Sequence, residues 1–279
     1  MFEKVQSKVD TNEVEQIDFL ELKREYYLDP KKPIKRQPVA LSMGEYHYVQ
    51  ERYPIPFGSY GDFSCLVGAS KSMKTFLKTA LIASYIGGQA NHYFEDFRGH
   101  DTLDKFVLDI DTEQSPYHAQ RASRRISKMV GSDYPYHIPF ALRKESPKNR
   151  FDFIEWLVYD SEYKGKIGLI AIDGAADLME DVNDLKQSNK IAQAFMKWTT
   201  DAQCHLITVL HRNHGTMKPT GHLGSAILKK AETVAFVERN KENRCTYVTP
   251  EYTRNYPFEQ FAFRLNSEFI PEKVGLGLL

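Results

Sequence analysis

The sequence carries no net charge: 37 basic side chains are matched by 37 acidic ones over 279 residues. A surface balanced in this way excludes tight nucleic-acid binding through the whole molecule and leaves only local basic patches. Cysteine is scarce. Cys65, Cys204 and Cys245 stand far apart with no CxxC spacing, which excludes a disulfide framework and a cysteine zinc site and fits reduced, buried thiols. No apolar run reaches the length of a membrane span, and no signal-peptide pattern opens the chain, so the protein reads as soluble and cytoplasmic with no membrane partner. Internal repeats and low-complexity segments are missing too. His205, His211, His214 and His222 form neither HxxxH nor HExxH, so no histidine metal motif is present.

What remains is an ordinary globular composition, 42% hydrophobic and 27% charged, long enough for one large or two small domains. Residues 1–55 differ from the rest. Thr11-Asn12 could cap a short helix bearing Val14, Ile17, Leu20 and Leu22. The stretch from Asp29 to Pro38 holds four cations and three prolines, a density of proline that blocks helix and central strand alike. Residues 1–55 are therefore expected to be an arm or linker, and residues 56–279 the main domain.

From Gly61 onward strand and helix signals alternate. Phe63 to Val67, Lys105 to Ile110, Tyr136 to Phe140, Lys166 to Ile172 and Cys204 to Leu210 read as strands. The fourth is apolar throughout, as a central parallel strand should be. Helical periodicity falls between them, at 76–85, 117–129, 151–159 and 188–199. This alternation predicts an α/β fold with a mostly parallel central sheet and helices on both faces. Past Gly224, strands at 233–237, 244–248 and 258–265 follow without helices, which predicts an antiparallel C-terminal extension.

The chemistry gathers at strand ends, where open α/β sheets bind their ligands. The first strand runs into Gly68-Ala69-Ser70-Lys71-Ser72-Met73-Lys74-Thr75 and then a helix. Strand, loop and helix in this order build a phosphate-binding loop, with backbone N–H groups and the helix N-terminus aimed at one anion. In that reading Lys74 meets the β- and γ-phosphates of a nucleotide, and the Thr75 hydroxyl holds Mg²⁺. Met73 stands where such loops usually carry glycine. Asp173 ends the apolar strand and suits Mg²⁺ as well. Asp111 and Glu113 follow the second strand, where a carboxylate can activate water. His211-Arg212-Asn213 closes the strand from Cys204.

This order resembles the RecA-like P-loop ATPases, and within them the RepA/DnaB-type hexameric replicative helicases. The resemblance spans about Phe57 to Leu265. It implies a RecA-like fold, ATP and Mg²⁺ as cofactors, and Gly68 to Thr75 as the nucleotide loop. Glu113 matches that group's catalytic glutamate, Asp173 its magnesium-orienting aspartate, and His211 its reporter of phosphate state. Gly221 to Ala226 resembles the glycine-serine segment of RepA-type proteins. Tyr252-Thr253-Arg254-Asn255 lies where the group carries a Lys-x-Arg pair that reaches a neighbour's nucleotide, so Arg254 fits the arginine and Tyr252 replaces the lysine. The implied partners are further copies of the chain, as a hexameric ring, and single-stranded DNA. The loop after Asp173 carries Asp177, Glu180, Asp181 and Asp184, which would repel a phosphate backbone. The segment from Arg212 to Lys218 is better suited to DNA. A RecA-like ATPase or nucleotide-binding scaffold without unwinding activity is the alternative that the acidic loop favours.

Overall fold

The computed structural model describes residues 17–212 and 221–275. The chain divides into two compact units, the first ending at Arg36 and the second beginning at Gln37. In the first unit a helix, α1 (Phe19–Tyr26), starts where the Asp18 carboxylate accepts the N–H groups of Leu20 and Glu21. None of its side chains is buried. The cap expected at Thr11-Asn12 lies outside the described residues.

The second unit opens with β1 (Val39–Tyr48) and β2 (Glu51–Ser59), a hairpin extended by the short β4 (Phe97–Gly99) into a three-stranded antiparallel sheet. The division therefore falls some twenty residues before the boundary expected at 55, and residues 39–55 belong to the compact unit. Ala40, Leu41, Met43 and Ile55 are buried in its core. Pro54 and Pro56 lie in β2, at the edge of this sheet, the kind of strand that tolerates proline.

Alternating strands and helices build the rest. In order they are β3 (Phe63–Gly68), α2 (Lys74–Ile86), β5 (Phe106–Asp111), α3 (Pro116–Val130), β6 (His137–Ala141), α4 (Pro147–Tyr159), β7 (Ile167–Asp173), α5 (Leu185–Ala202), β8 (His205–His211) and α6 (Gly221–Leu228). Then β9 (Thr233–Arg239), β10 (Thr246–Thr253), β11 (Phe261–Leu265) and β12 (Pro271–Val274) complete a nine-stranded sheet of order β12-β11-β10-β9-β3-β8-β7-β5-β6. The expected α/β architecture is realised. Strand β9, expected in the antiparallel extension, pairs with β3 in parallel, and the antiparallel part begins at β10.

Two cores flank this sheet. Period-2 alternation sends Leu66 to the face shared with α2, α3 and the small sheet, and Cys65 and Val67 to the face covered by α4, α5 and α6. Helix α2 is buried along most of its length. Among the described residues no helix is long and apolar enough to cross a membrane.

Glu232, buried just before β9, ties the hairpin to the large sheet. Its carboxylate accepts the Ser59 N–H at 2.7 Å, the Ser59 hydroxyl at 2.6 Å and the Asn255 amide at 2.6 Å. Glu232→Ala strands these donors in the interior. The expected loss is roughly 2–4 kcal/mol of unfolding free energy by urea titration, since an orphaned buried partner costs about 1–3 kcal/mol. A change below about 0.5 kcal/mol would rule out the tie.

Candidate active site

The loop from Gly68 to Lys74 leaves β3 between its two parallel neighbours, β8 and β9. Gly68 is required by space. A Cβ there would come within 2.4 Å of the Val237 carbonyl oxygen and 2.5 Å of the Ser72 hydroxyl. Lys71 and Met73 take left-handed conformations, with φ of 62° and 74°. Met73 thus adopts, at the N-cap of α2, the backbone that glycine adopts without cost. The methionine does not abolish the turn, and its side chain packs on the adjoining core.

The turn presents Lys74 and Thr75 to the ends of the neighbouring strands. Lys74 Nζ donates to the carbonyl oxygens of Gly68 at 2.9 Å and Ala69 at 2.7 Å. It lies 3.4 Å from His211 Nδ1, while His211 Nε2 lies 3.5 Å from Glu113 Oε2. An ammonium only donates, so the geometry assigns Nδ1 as acceptor and puts the imidazole proton on Nε2, toward the carboxylate. Burial pushes the Lys74 pKa down to about 8, opposed by Asp173 and Glu113. The contact with His211 holds the Glu113 carboxyl below its ordinary range against the opposing effect of burial. Glu113 is thus ionised, as a proton acceptor needs to be.

Thr75 Oγ1 donates to Asp173 Oδ2 at 2.8 Å. A hydroxyl and a carboxylate side by side are hard oxygen donors that fit Mg²⁺, which takes one or two protein ligands and fills its shell from phosphate and water. Among the described residues no cluster of three or more His, Cys, Asp or Glu could hold a metal unaided. Beneath the pair lies Lys78, buried, with Nζ at 2.9 Å from Asp109 Oδ1 and 3.5 Å from Asp173 Oδ2. Burial opposes its charge, but the two carboxylates outweigh that and raise its pKa, while Lys78 and His137 hold Asp109 low against burial.

Asp111 shapes the turn that bears Glu113. Its Oδ1 accepts the N–H groups of Glu113 at 3.1 Å and Gln114 at 2.7 Å. Thr112 reaches the other way, donating to Asp177 Oδ2 at 2.8 Å and accepting the Gly174 N–H at 2.9 Å. The loop after β7 is thereby tied to the Glu113 turn.

Lys74, Thr75, Glu113, Asp173 and His211 face a cavity of about 550 Å³. Lys71, Lys74, Arg121, Arg125 and Arg239 on its wall outnumber Glu113 and Asp173, which suits a ligand of several negative charges. The Arg125 guanidinium lies 3.9 Å from the centre of the Phe76 ring. Of the residues expected from the sequence, the structure brings together the loop, Glu113, Asp173 and His211. It does not bring Arg254 to them. That guanidinium is 3.2 Å from Asp62 and donates to the Lys230 carbonyl at 2.6 Å, at the opposite, amino-terminal end of β3. Sequence reasoning missed Lys78, Thr112 and Arg239. For the first, a lone lysine in an apolar helix and a lone aspartate (Asp109) within an apolar strand are each unusual, but nothing in the sequence pairs them.

Burial also moves the Asp111 carboxyl, up to about 6. A raised folded-state pKa favours the protonated form, so Asp111 contributes stability at low pH that is lost as pH rises through 6. Asp111→Asn keeps an oxygen for the two N–H groups and removes the buried charge. It should raise the thermal midpoint by several degrees at pH 8, on the scale of about 2 kcal/mol, and lose most of that advantage at pH 4. An equal shift at both values would contradict the assignment.

A family model described as an AAA domain matches residues 31–217. No curated protein matches. Among solved structures, one titled "Crystal structure of the RadB recombinase" matches with a TM-score of 0.50 and 15% identity, over 79% of this chain and 93% of that one. At that identity the likeness concerns the fold alone, which is RecA-like. The family match takes in β3, the phosphate-loop turn and the strand ends that carry Glu113, Asp173 and His211, and the chain belongs to the AAA domain family.

Proposed function

We propose that this chain binds ATP with Mg²⁺ and hydrolyses it, as a RepA/DnaB-type ring motor acting on single-stranded DNA in replication or mobilisation. The observation that carries the ATPase reading is that a pair and a triad converge on one cation-rich cavity. The pair is Thr75 with Asp173; the triad is His211 set between Lys74 and Glu113. Thr75 and Asp173 would hold Mg²⁺, which supplies charge neutralisation to the terminal phosphates. Lys74 leaves the loop carbonyls to meet the β- and γ-phosphates. Glu113 accepts the proton of the attacking water. His211 spans the lysine and the glutamate, so a change at the phosphate end is felt at the base and at the chain that continues into Arg212.

Transport along DNA is supported by family resemblance and by the segment from Arg212 to Lys218, most of which lies outside the described residues. The alternative, a RecA-like ATPase with an assembly or signalling role, is favoured by the loop after β7. Asp177 and Asp184 are engaged there in hydrogen bonds to Thr112 and to the start of α5, and residues 174–185 contain no lysine or arginine to meet a phosphate backbone. Turnover of ATP with and without single-stranded DNA separates the readings: stimulation supports the motor, and unchanged turnover supports the alternative.

Lys74→Ala is expected to abolish binding of a fluorescent ATP analogue. Its companion Glu113→Gln should bind normally and turn over at least roughly a hundredfold more slowly, the scale of a lost general base. Normal binding by the first, or normal turnover by the second, would remove the corresponding assignment.

Arg254 can serve the site only from a neighbouring copy, because its own nucleotide loop is at the other end of β3. A cation supplied in this way is worth roughly 10³- to 10⁵-fold in rate. Arg254→Ala should therefore bind ATP and hydrolyse it poorly, and mixing it with Lys74→Ala should restore part of the activity. Co-assembled mixtures that stay inactive would leave Arg254 a structural partner of Asp62.

A further inference from the structure

Lys78 makes one contact more than a structural role requires. Its partner Asp109 already satisfies it within the core, at 2.9 Å, and Asp109 has His137 at 3.5 Å as well. A buried lysine–carboxylate pair of this kind is often replaceable by apolar side chains without loss of stability. Yet the ammonium also stands 3.5 Å from Asp173 Oδ2, the oxygen that accepts the Thr75 hydroxyl at 2.8 Å. One turn after Lys74 on α2, it lies behind the carboxylate, away from solvent: its side chain is 1% exposed and that of Asp173 4%.

We propose that Lys78 is a positioning residue that fixes the Asp173 carboxylate against Thr75 and offsets its charge, so that the pair binds a divalent cation weakly until a nucleotide supplies phosphate oxygens. The inference rests on the reading of Thr75 and Asp173 as the cation pair. The ammonium is shared between Asp109 and Asp173, so the two carboxylates compete for one charge. Removing Asp109 leaves Lys78 to Asp173 alone and deepens the neutralisation. Removing Lys78 and the Asp109 charge together takes the ammonium from behind Asp173 and makes its carboxylate more attractive to a metal. An effect confined to packing would shift both variants in the same direction or neither.

The test uses Mn²⁺ as the probe, with the full chain and no nucleotide, its binding followed by electron paramagnetic resonance. Lys78→Met/Asp109→Asn should bind Mn²⁺ roughly tenfold more tightly than the natural chain, because an ammonium 3.5 Å behind Asp173 Oδ2 that repels the metal is gone; loss of a group that only orients a metal ligand would instead weaken binding by about that factor or more. Asp109→Asn alone should bind it more weakly, and it keeps the falsifying comparison available if the double variant fails to fold. Equal affinities in all three proteins, or weakening in both variants, would overturn the role of Lys78. Asp173→Asn is the control for the underlying reading. If that variant binds Mn²⁺ as the natural chain does, the metal is not held by the Thr75–Asp173 pair, whatever Lys78 does.

Discussion

A lysine ammonium enclosed with two carboxylates joins the nucleotide-loop helix to the sheet beneath it. Lys78 comes from α2, Asp109 from within β5 and Asp173 from the end of β7. None of these charges could be buried alone, because an isolated ion in the interior costs several kcal/mol. They are tolerated only together, and only when α2 lies across β5 and β7 at one height and one rotation. That height is also the one at which Thr75 meets Asp173. The ion cluster is thus a constraint on register, and the register it imposes sets the two oxygens suited to a divalent cation side by side.

The loop in front of α2 is held by different means. Its backbone is fixed by close approach and by left-handed residues. Val237 and Ser72 crowd Gly68, and Lys71 and Met73 turn the chain into the helix. A non-glycine residue in that conformation carries a local cost of about 1–3 kcal/mol, which the packing of Met73 and the buried length of α2 offset. The three-stranded sheet contributes by covering the outer side of α2. A helix with Leu77, Leu81 and Tyr85 fully enclosed needs apolar cover on both sides, and Leu41, Phe57 and Phe97 supply the second.

The remaining functional groups arrive as continuations of strands. Glu113 and Thr112 extend β5, Gly174 and Asp177 extend β7, and His211 ends β8. Hydrogen bonds from Thr112 to Asp177 and from Asp111 to the Glu113 turn link these extensions sideways. Arg254 shares none of this. It completes a separate cluster with Asp62 and the Lys230 carbonyl at the amino-terminal end of β3, so any part in phosphate chemistry requires a second subunit.

The parallel strands were legible from the sequence because buried strands read as unbroken apolar runs. The ends of those runs marked Lys74, Thr75, Asp173, Glu113 and His211 as one group. The hairpin β1–β2 was not legible, since the proline-rich stretch from Asp29 to Pro38 made the residues up to 55 read as one arm, and a strand that carries Pro54 and Pro56 is recognisable only once it is known to lie at an edge. The three residues of β4 are too few for any periodicity. Lys78 and Asp109 were hidden for a different reason. A lysine in a helix and an aspartate in a strand ordinarily face water, and nothing in their spacing pairs them. Only the packing of α2 on β5 and β7 brings them within 3 Å, because pairing of buried charges depends on distance across the sheet and not on separation along the chain.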